Sequence, residues 1–234
     1  MRILVVDVGG THVKLKVQGG DEVRKCPSGP DLTARQMVDA VRAATRDWDY
    51  DAVTVGYPGP VHNGVILKEP VNLGPGWLGF DFPAALGKPV RVINDAAMQA
   101  LGSYQGGRML FLGLGTGLGS ALIVDGVIVP MELGHLPYKK GQTFEEYVGT
   151  AGLKRLGRRK WREAVFDVVR RLGAALLPDY TVLGGGNVKK LDELPPGARA
   201  GDNTNAFLGG VRLWGDPRAL SGAATAAPRT EPRT

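Results

Sequence analysis

A single cysteine, Cys26, is the whole thiol inventory of this 234-residue chain. That excludes an intramolecular disulfide and a Cys-rich zinc site. No apolar run reaches the roughly 18 residues needed to cross a bilayer. The apolar start MRILVVDVGG runs straight into a glycine turn and has no small-residue cleavage site. It therefore reads as a first strand and not as a secretion signal. The expectation is a soluble cytoplasmic protein with no membrane partner. No Gly-Lys-Ser/Thr follows a glycine loop at the spacing of a Walker A motif, and no glycine turn opens a helix as a dinucleotide fingerprint does.

What is abundant is glycine, 35 residues, about twice the usual share. No collagen-like period accompanies it, so the excess belongs to loops. Hydrophobic residues make up 43%, enough to fill a core, which excludes global disorder. The length suits one or two compact domains. The charge balance, 29 basic against 23 acidic residues, gives +6. That sum alone is an ordinary surface, and the position of the charges matters more.

Along the chain, Ile3–Val8 is a β-rich run that ends at Asp7 and the Gly9–Gly10 turn. Val13, Leu15 and Val17 alternate with lysines, so the two runs predict a hairpin. A third strand is expected over Glu22–Cys26. Thr33 and Gln36 fit a capping box, followed by Met37, Val41, Ala44 and Trp48 at helical spacing. Asp51–Gly56 reads as a fourth strand and Val90–Ile93 as another, followed by Asn94-Asp95 and a helix. The second half repeats the start: strand Met109–Gly113, a glycine turn, then Ser120–Val124 and Val127–Val129 around Asp125-Gly126. Trp161, Val165, Val168, Leu172 and Leu176 mark a helix. Tyr180–Leu183 is a strand running into three glycines, and Ala206–Trp214 is the last helix. The parallel predicts two domains of similar topology, 1–107 and 108–215, and a disordered tail over 216–234.

Three glycine turns follow apolar strands: Gly9-Gly10-Thr11, Gly113 to Gly119, and Gly184-Gly185-Gly186. Glycine lets backbone N–H groups approach an anion closely. It also serves any tight hairpin, but three such turns, two carrying Thr, favour phosphate. Asp7, at the end of a buried strand, needs a partner. Two readings stand together: a water-mediated ligand of Mg²⁺, or a carboxylate bonded to the turn's own amides. Asp95 is either an N-cap or a general base at a strand's carboxyl end, where α/β proteins place ligands. Asn94 beside it can take the cap and leave Asp95 free. Glu132 and His135, three residues apart, suit a hydroxylated ligand better than a metal, since no second Glu-x-x-His pair exists. His12 and His62 read as surface or loop residues.

Together these residues resemble the ROK family of sugar kinases and repressors, within the actin-like ATPase superfamily, over about Ile3 to Trp214. The carrying segments are VVDVGGTHVK, VGYPGPV, NLGPGW, INDAAMQALG, LGLGTGLGSALIVDGVIVPMELGHL, FEEYVG and YTVLGGGNVKK. Within the family the chain is most similar to the polyphosphate glucokinase branch. The resemblance implies an α/β fold of two ribonuclease-H-like domains around a cleft. It implies a hexokinase-type phosphotransferase acting on the 6-hydroxyl of a hexose such as glucose. Asp95 would be the catalytic base. Asn94, Asp95, Glu132, His135 and Glu145 would hold the sugar. Asp7, Gly9, Gly10, Thr11, Lys14, Gly115, Thr116 and Gly117 would hold phosphate, and Gly184, Gly185 and Gly186 would flank the donor. Many family members carry a Cys-rich zinc motif after Glu-Leu-Gly-His. Here Lys139, Lys140 and Gly141 stand there, so structural zinc is not expected. A DNA-binding domain, as in the family's repressors, is not expected either, and a homodimer is, from relatives.

The donor turns on Lys154, Arg155, Arg158, Arg159, Lys160 and Arg162, six cations within nine residues. A charge run is usually a solvated helix face. A polyanion would relieve the repulsion, so inorganic polyphosphate stands beside ATP as donor, with Mg²⁺. The alternatives are an ATP-dependent N-acetylhexosamine kinase and a non-catalytic sugar-binding regulator.

Overall fold

The computed structural model describes residues 1–215; the tail from 216, expected to be disordered, lies outside the described residues. The chain opens with β1 (Ile3–Val8), β2 (His12–Val17) and β3 (Arg24–Pro27), then α1 (Ala34–Ala44) and β4 (Ala52–Tyr57). A small hairpin, β5 (Val61–His62) and β6 (Val65–Ile66), and α2 (Phe82–Leu86) lead into β7 (Val90–Asn94) and α3 (Asp95–Ser103). The second half contains β8 (Arg108–Leu114), β9 (Leu118–Val124) and β10 (Val127–Met131). Then come α4 (Phe144–Val148), α5 (Thr150–Leu176), β11 (Tyr180–Gly184), β12 (Ala198–Ala200) and α6 (Asn205–Arg212).

The two halves build the same sheet. Its order is β3-β2-β1-β4-β7 in the first and β10-β9-β8-β11-β12 in the second. In each, three antiparallel strands precede two that run parallel to the first. The first parallel step of each sheet, β1 to β4 and β8 to β11, needs a crossover, which α1 and α5 supply.

The alternation of side chains along β1 and β8 sets the layers. Leu4, Val6 and Val8 face one core with Met37, Val38 and Val41 of α1. Ile3 and Val5 face the opposite way, into a central core with Met109, Phe111, α3 and α6. Leu110, Leu112 and Leu114 face a third core with Trp161, Val165, Val168 and Leu172 of α5. The layers therefore run helix, sheet, α3 with α6, sheet, helix.

The last helix thus returns to the first sheet. Thr54 donates its hydroxyl to the Gly210 carbonyl at 2.7 Å, and Trp214 Nε1 donates to that hydroxyl at 2.8 Å. A Cβ on Gly210 would lie 2.5 Å from Val5 Cγ1. Where α3 crosses α6, a Cβ on Gly102 would collide with the Asn205 carbonyl and one on Gly209 with that of Met98. Glycine here is what lets the two backbones touch.

Most element boundaries shift by one or two residues from the sequence expectation, the last helix ending at Arg212 and not Trp214; three of the shifts have a local cause. The third strand starts at Arg24, two residues late. The first helix stops at Ala44, where Thr45 caps it, and Trp48 sits outside it beneath the Arg24 guanidinium, 4.2 Å from the ring centroid. The helix expected around Trp161 starts at Thr150, with a break at Gly157 (φ 74°, ψ 162°). Apolar spacing is legible only past that break, because the stretch before it carries charge and glycine instead.

Candidate active site

Asn94 and Asp95 divide the work at the start of α3. Asn94 is the N-cap: its Oδ1 accepts from Ala97 N at 3.0 Å, and its Nδ2 donates to the Gly59 carbonyl at 3.0 Å. The cap is satisfied by Asn94, so Asp95 has only Ala96 N, 2.7 Å from its Oδ1. Its Oδ2 has no protein partner among the described residues. Burial pushes the Asp95 carboxyl up to about 7, and the charges of Asp7 and Glu132 add to the rise against the pull of the Ala96 amide. This is a carboxyl poised to change protonation near neutrality.

Asp7 is buried, and its partner is Lys14, whose Nζ lies 3.1 Å from Oδ2. Neither reading offered by the sequence named that pair; it corrects the picture of a carboxylate bonded to its own turn. Beside it, Gly9 N donates to the His12 carbonyl at 3.1 Å, while the amides of Gly10 and Thr11 make no hydrogen bond among the described residues. The second turn behaves alike. Gly115 N reaches the Gly117 carbonyl at 3.2 Å, and the amides of Thr116 and Gly117 are free among the described residues. Its shape is held from outside. The Gly115 carbonyl accepts Thr150 N at 3.0 Å, Thr150 Oγ1 at 2.9 Å and Asn187 Nδ2 at 3.0 Å. The third turn, Gly184 to Gly186, lies alongside: Gly185 has φ 86° against the Leu114 backbone, and Asn187 N donates to Leu114 O at 3.0 Å.

Glu132, His135 and Glu145 converge on the second turn. His135 Nε2 is 3.7 Å from Glu145 Oε1. Its carboxylate neighbour is thus Glu145, from α4. Burial raises the Glu132 carboxyl, His135 and Lys68 act against the rise, and Glu145 adds to it. Three glycines without room for a side chain set these distances. A Cβ on Gly119 would lie 2.7 Å from that of Ala96, one on Gly134 2.8 Å from the Leu118 carbonyl, and one on Gly117 2.5 Å from Glu145 Oε2. Asp95's helix, the 115–119 turn and the Glu132–His135 turn are therefore one packed unit.

Several residues in this unit were not singled out by sequence reasoning. Buried Ser120 accepts from Leu133 N at 3.0 Å and donates to the Met131 carbonyl at 2.7 Å, fixing the chain on either side of Glu132. Glu69 accepts the amides of Gly76, Trp77 and Leu78 and so shapes the NLGPGW loop. Thr150 lies outside the motif segments, and Asn187, though inside YTVLGGGNVKK, was given no role there, because their work is done on a carbonyl distant in sequence.

The basic stretch is more engaged than its composition suggests. Arg158 and Arg162 both pair with Asp192, and Arg158 also donates to the Lys190 carbonyl at 2.8 Å. Arg159 pairs with Glu163 at 3.5 Å, and Arg155 donates to the Glu146 carbonyl at 2.8 Å. Lys154 and Lys160 are exposed without an ion pair among the described residues. Much of the repulsion is relieved within the chain, so it is no argument by itself for a polyanion. No group of three His, Cys, Asp or Glu side chains placed to hold a metal occurs among the described residues. No helix among them is long and apolar enough to cross a membrane.

Two copies of one five-stranded topology, with a carboxylate and glycine turns at the strand ends between them, define a protein of the actin-like ATPase fold. The chain belongs to the ROK family, whose profile matches residues 3–152. It is 28% identical over 216 residues to polyphosphate glucokinase of Mycobacterium tuberculosis, covering 82% of this chain and 80% of the relative. Among solved structures, the inorganic polyphosphate/ATP-glucomannokinase from Arthrobacter sp. strain KM superposes with a TM-score of 0.78 at 26% identity, covering 90% of this chain and 97% of the other. A ROK family glucokinase from Streptomyces griseus, solved with glucose and AMPPNP, has a TM-score of 0.70 at 20% identity over 91% of this chain and 98% of the other. At that identity the likeness concerns the fold.

Proposed function

We propose that the chain is a sugar kinase that transfers a phosphoryl group to the 6-hydroxyl of a hexose, glucose first, from polyphosphate or ATP. The observation that carries this reading is Asp95: a half-buried carboxyl, spared from capping, with an affinity for protons matched to neutral pH. A general base works best in that range. The hexose lies against Asn94, Glu132, His135 and Glu145, whose remaining donors and acceptors take its hydroxyls. Asp95 receives the 6-hydroxyl proton as the oxygen attacks phosphorus. The free amides of Gly10, Thr11, Thr116 and Gly117 hold the donor phosphates, with Lys14 as a nearby cation. Gly184 to Gly186 and the exposed Lys154 and Lys160 line the donor's approach.

Magnesium fits this arrangement through one carboxylate. Mg²⁺ in phosphoryl-transfer sites keeps waters and takes few protein ligands beside the phosphates, and Asp7 is a buried carboxylate next to the first turn. When bound there it would neutralise phosphate charge. Lys14, 3.1 Å from its Oδ2, fixes the Asp7 side chain in position. The two sheets and the helices packed on them would close on the substrates, excluding the water that competes as acceptor.

Purified protein given glucose, Mg²⁺ and either long-chain polyphosphate or ATP is expected to form glucose 6-phosphate. Failure with both donors across a panel of hexoses and N-acetylhexosamines contradicts the reading, and glucose binding without transfer would make the protein a sugar-binding regulator. The clamp on the second turn adds a donor-side prediction. Asn187→Ala removes one donor from the Gly115 carbonyl, so the KM of the phosphoryl donor rises about fivefold, with the hexose KM within about twofold of wild type. Steady-state kinetics with each substrate varied in turn checks the split.

A further inference from the structure

The chain between His135 and Glu145 is a tight hairpin. Pro137 bridges Thr143, Tyr138 N donates to the Gln142 carbonyl at 2.8 Å, and Phe144 N to that of Leu136 at 3.0 Å. Lys140 (φ 53°) and Gly141 (φ 73°) make the turn. Glu132 and His135 precede this hairpin and Glu145 follows it directly. Any tilt of the hairpin therefore moves three of the groups assigned to the sugar. Yet its tip is built from exposed polar residues and has no core of its own.

One side chain ties it down. The side-chain bonds from the hairpin to α5 among the described residues converge on Asp167. Its Oδ2 accepts Tyr138 Oη at 2.8 Å and lies 3.4 Å from Lys139 Nζ. Arg171 Nε reaches the same oxygen at 3.0 Å, and Arg170 reaches Oδ1 at 2.7 Å. The Tyr138 ring then packs on Phe144 and, edge-on, on Tyr147, with centroids 5.3 and 4.8 Å apart. These aromatics bracket Glu145 in sequence and carry the constraint into α4. Burial alone would raise the Asp167 carboxyl, but the hydrogen bonds from Arg170, Tyr138 and Arg171 outweigh it and hold it well below the usual carboxylate range. The anion is only partly exposed, so the pairs are less screened than open surface pairs.

We propose that Asp167 is a positioning residue for the hexose: through Tyr138 it fixes the hairpin and so the spacing of Glu132, His135 and Glu145. It touches no substrate. The inference rests on the sugar-kinase reading of this cleft. It predicts a one-sided effect, because the second donor turn is held by Thr150 and Asn187 instead and the first lies on the other sheet.

The test compares Asp167→Ala, Asp167→Glu and Tyr138→Phe with wild type. Hexose affinity is read by calorimetry with glucose alone, and the KM values of hexose and donor by kinetics. Loss of a charge-assisted anchor is expected to weaken glucose binding about tenfold in Asp167→Ala and about threefold in Tyr138→Phe. The donor KM stays within about twofold, and Asp167→Glu regains most of the hexose affinity. Unchanged glucose affinity in the folded variants, or an equal loss for hexose and donor, overturns the proposal. Tyr138→Phe, which removes one oxygen, decides if Asp167→Ala does not fold. A wild-type protein that binds no hexose overturns the sugar-kinase reading and this inference together; wild-type binding with unaltered variants overturns this inference alone.

Discussion

Asp95→Asn is expected to lower hexose phosphorylation by about 10²- to 10⁴-fold, the usual contribution of a positioned general base, with hexose binding retained. The amide keeps the shape and can still accept from Ala96 N, so α3 starts unchanged. What it loses is the capacity to take a proton. The same substitution has a thermodynamic signature of opposite sign. The wild-type carboxyl holds its proton up to about pH 7 in the fold, but only to about pH 4 when unfolded. Between those values the native state binds more protons than the unfolded one, so wild-type stability falls as pH rises through the window and stays lower above it. The variant has no such loss. Its melting temperature should gain on wild type by a few degrees between pH 4.5 and pH 8, discounted for the water that reaches a half-buried group. A variant slower than wild type but with a constant melting difference across that range would place Asp95 in catalysis without the perturbed proton affinity.

Gly209→Ala is expected to be severely destabilising. In an exposed helix interior the change would stabilise by about 1 kcal/mol. Here the new Cβ would enter the space of the Met98 carbonyl on α3, and the atoms it meets are backbone. No side chain is available to swing aside, so the helices must separate. Overpacking against a rigid neighbour costs about 1–3 kcal/mol and sometimes more. With about 2–4 °C of melting temperature per kcal/mol for a chain of this size, a fall of roughly 2–12 °C follows. Gly102→Ala should act in the same direction through the Asn205 carbonyl. The two effects are coupled, since both relieve or load one crossing. Because α3 presents Asp95, turnover should fall in any folded fraction. A melting temperature at or above wild type for Gly209→Ala would contradict the crossing.

Much of this architecture is legible in the residues. The alternation Val13, Leu15, Val17 gives β2, the Thr33–Gln36 box gives α1, and the repeat of strand, glycine turn and hairpin gives the duplicated sheet. Asn94-Asp95 was readable for a local reason: one residue suffices for a cap. What was not legible depends on partners far along the chain. Glycines 117, 119 and 134 look like flexible turns, while in space they are contact points with Glu145, Ala96 and Leu118. Nothing in the order of residues shows that Asn187 serves Gly115, that Asp192 neutralises Arg158 and Arg162, or that α6 returns to β1 and β4. The approach of His135 to Glu145 was not legible either, because local spacing carries no information about α4 folding back beside it.

The most direct test of the central claim is the pH dependence of kcat/KM for the hexose, which reports groups of the free enzyme. The wild-type profile should rise about tenfold per pH unit at low pH and level off near pH 7, and Asp95→Asn should show a low, flat profile over the same range. A wild-type rate independent of pH from 5.5 to 8, or the same limb in Asp95→Asn, would show that another group takes the proton.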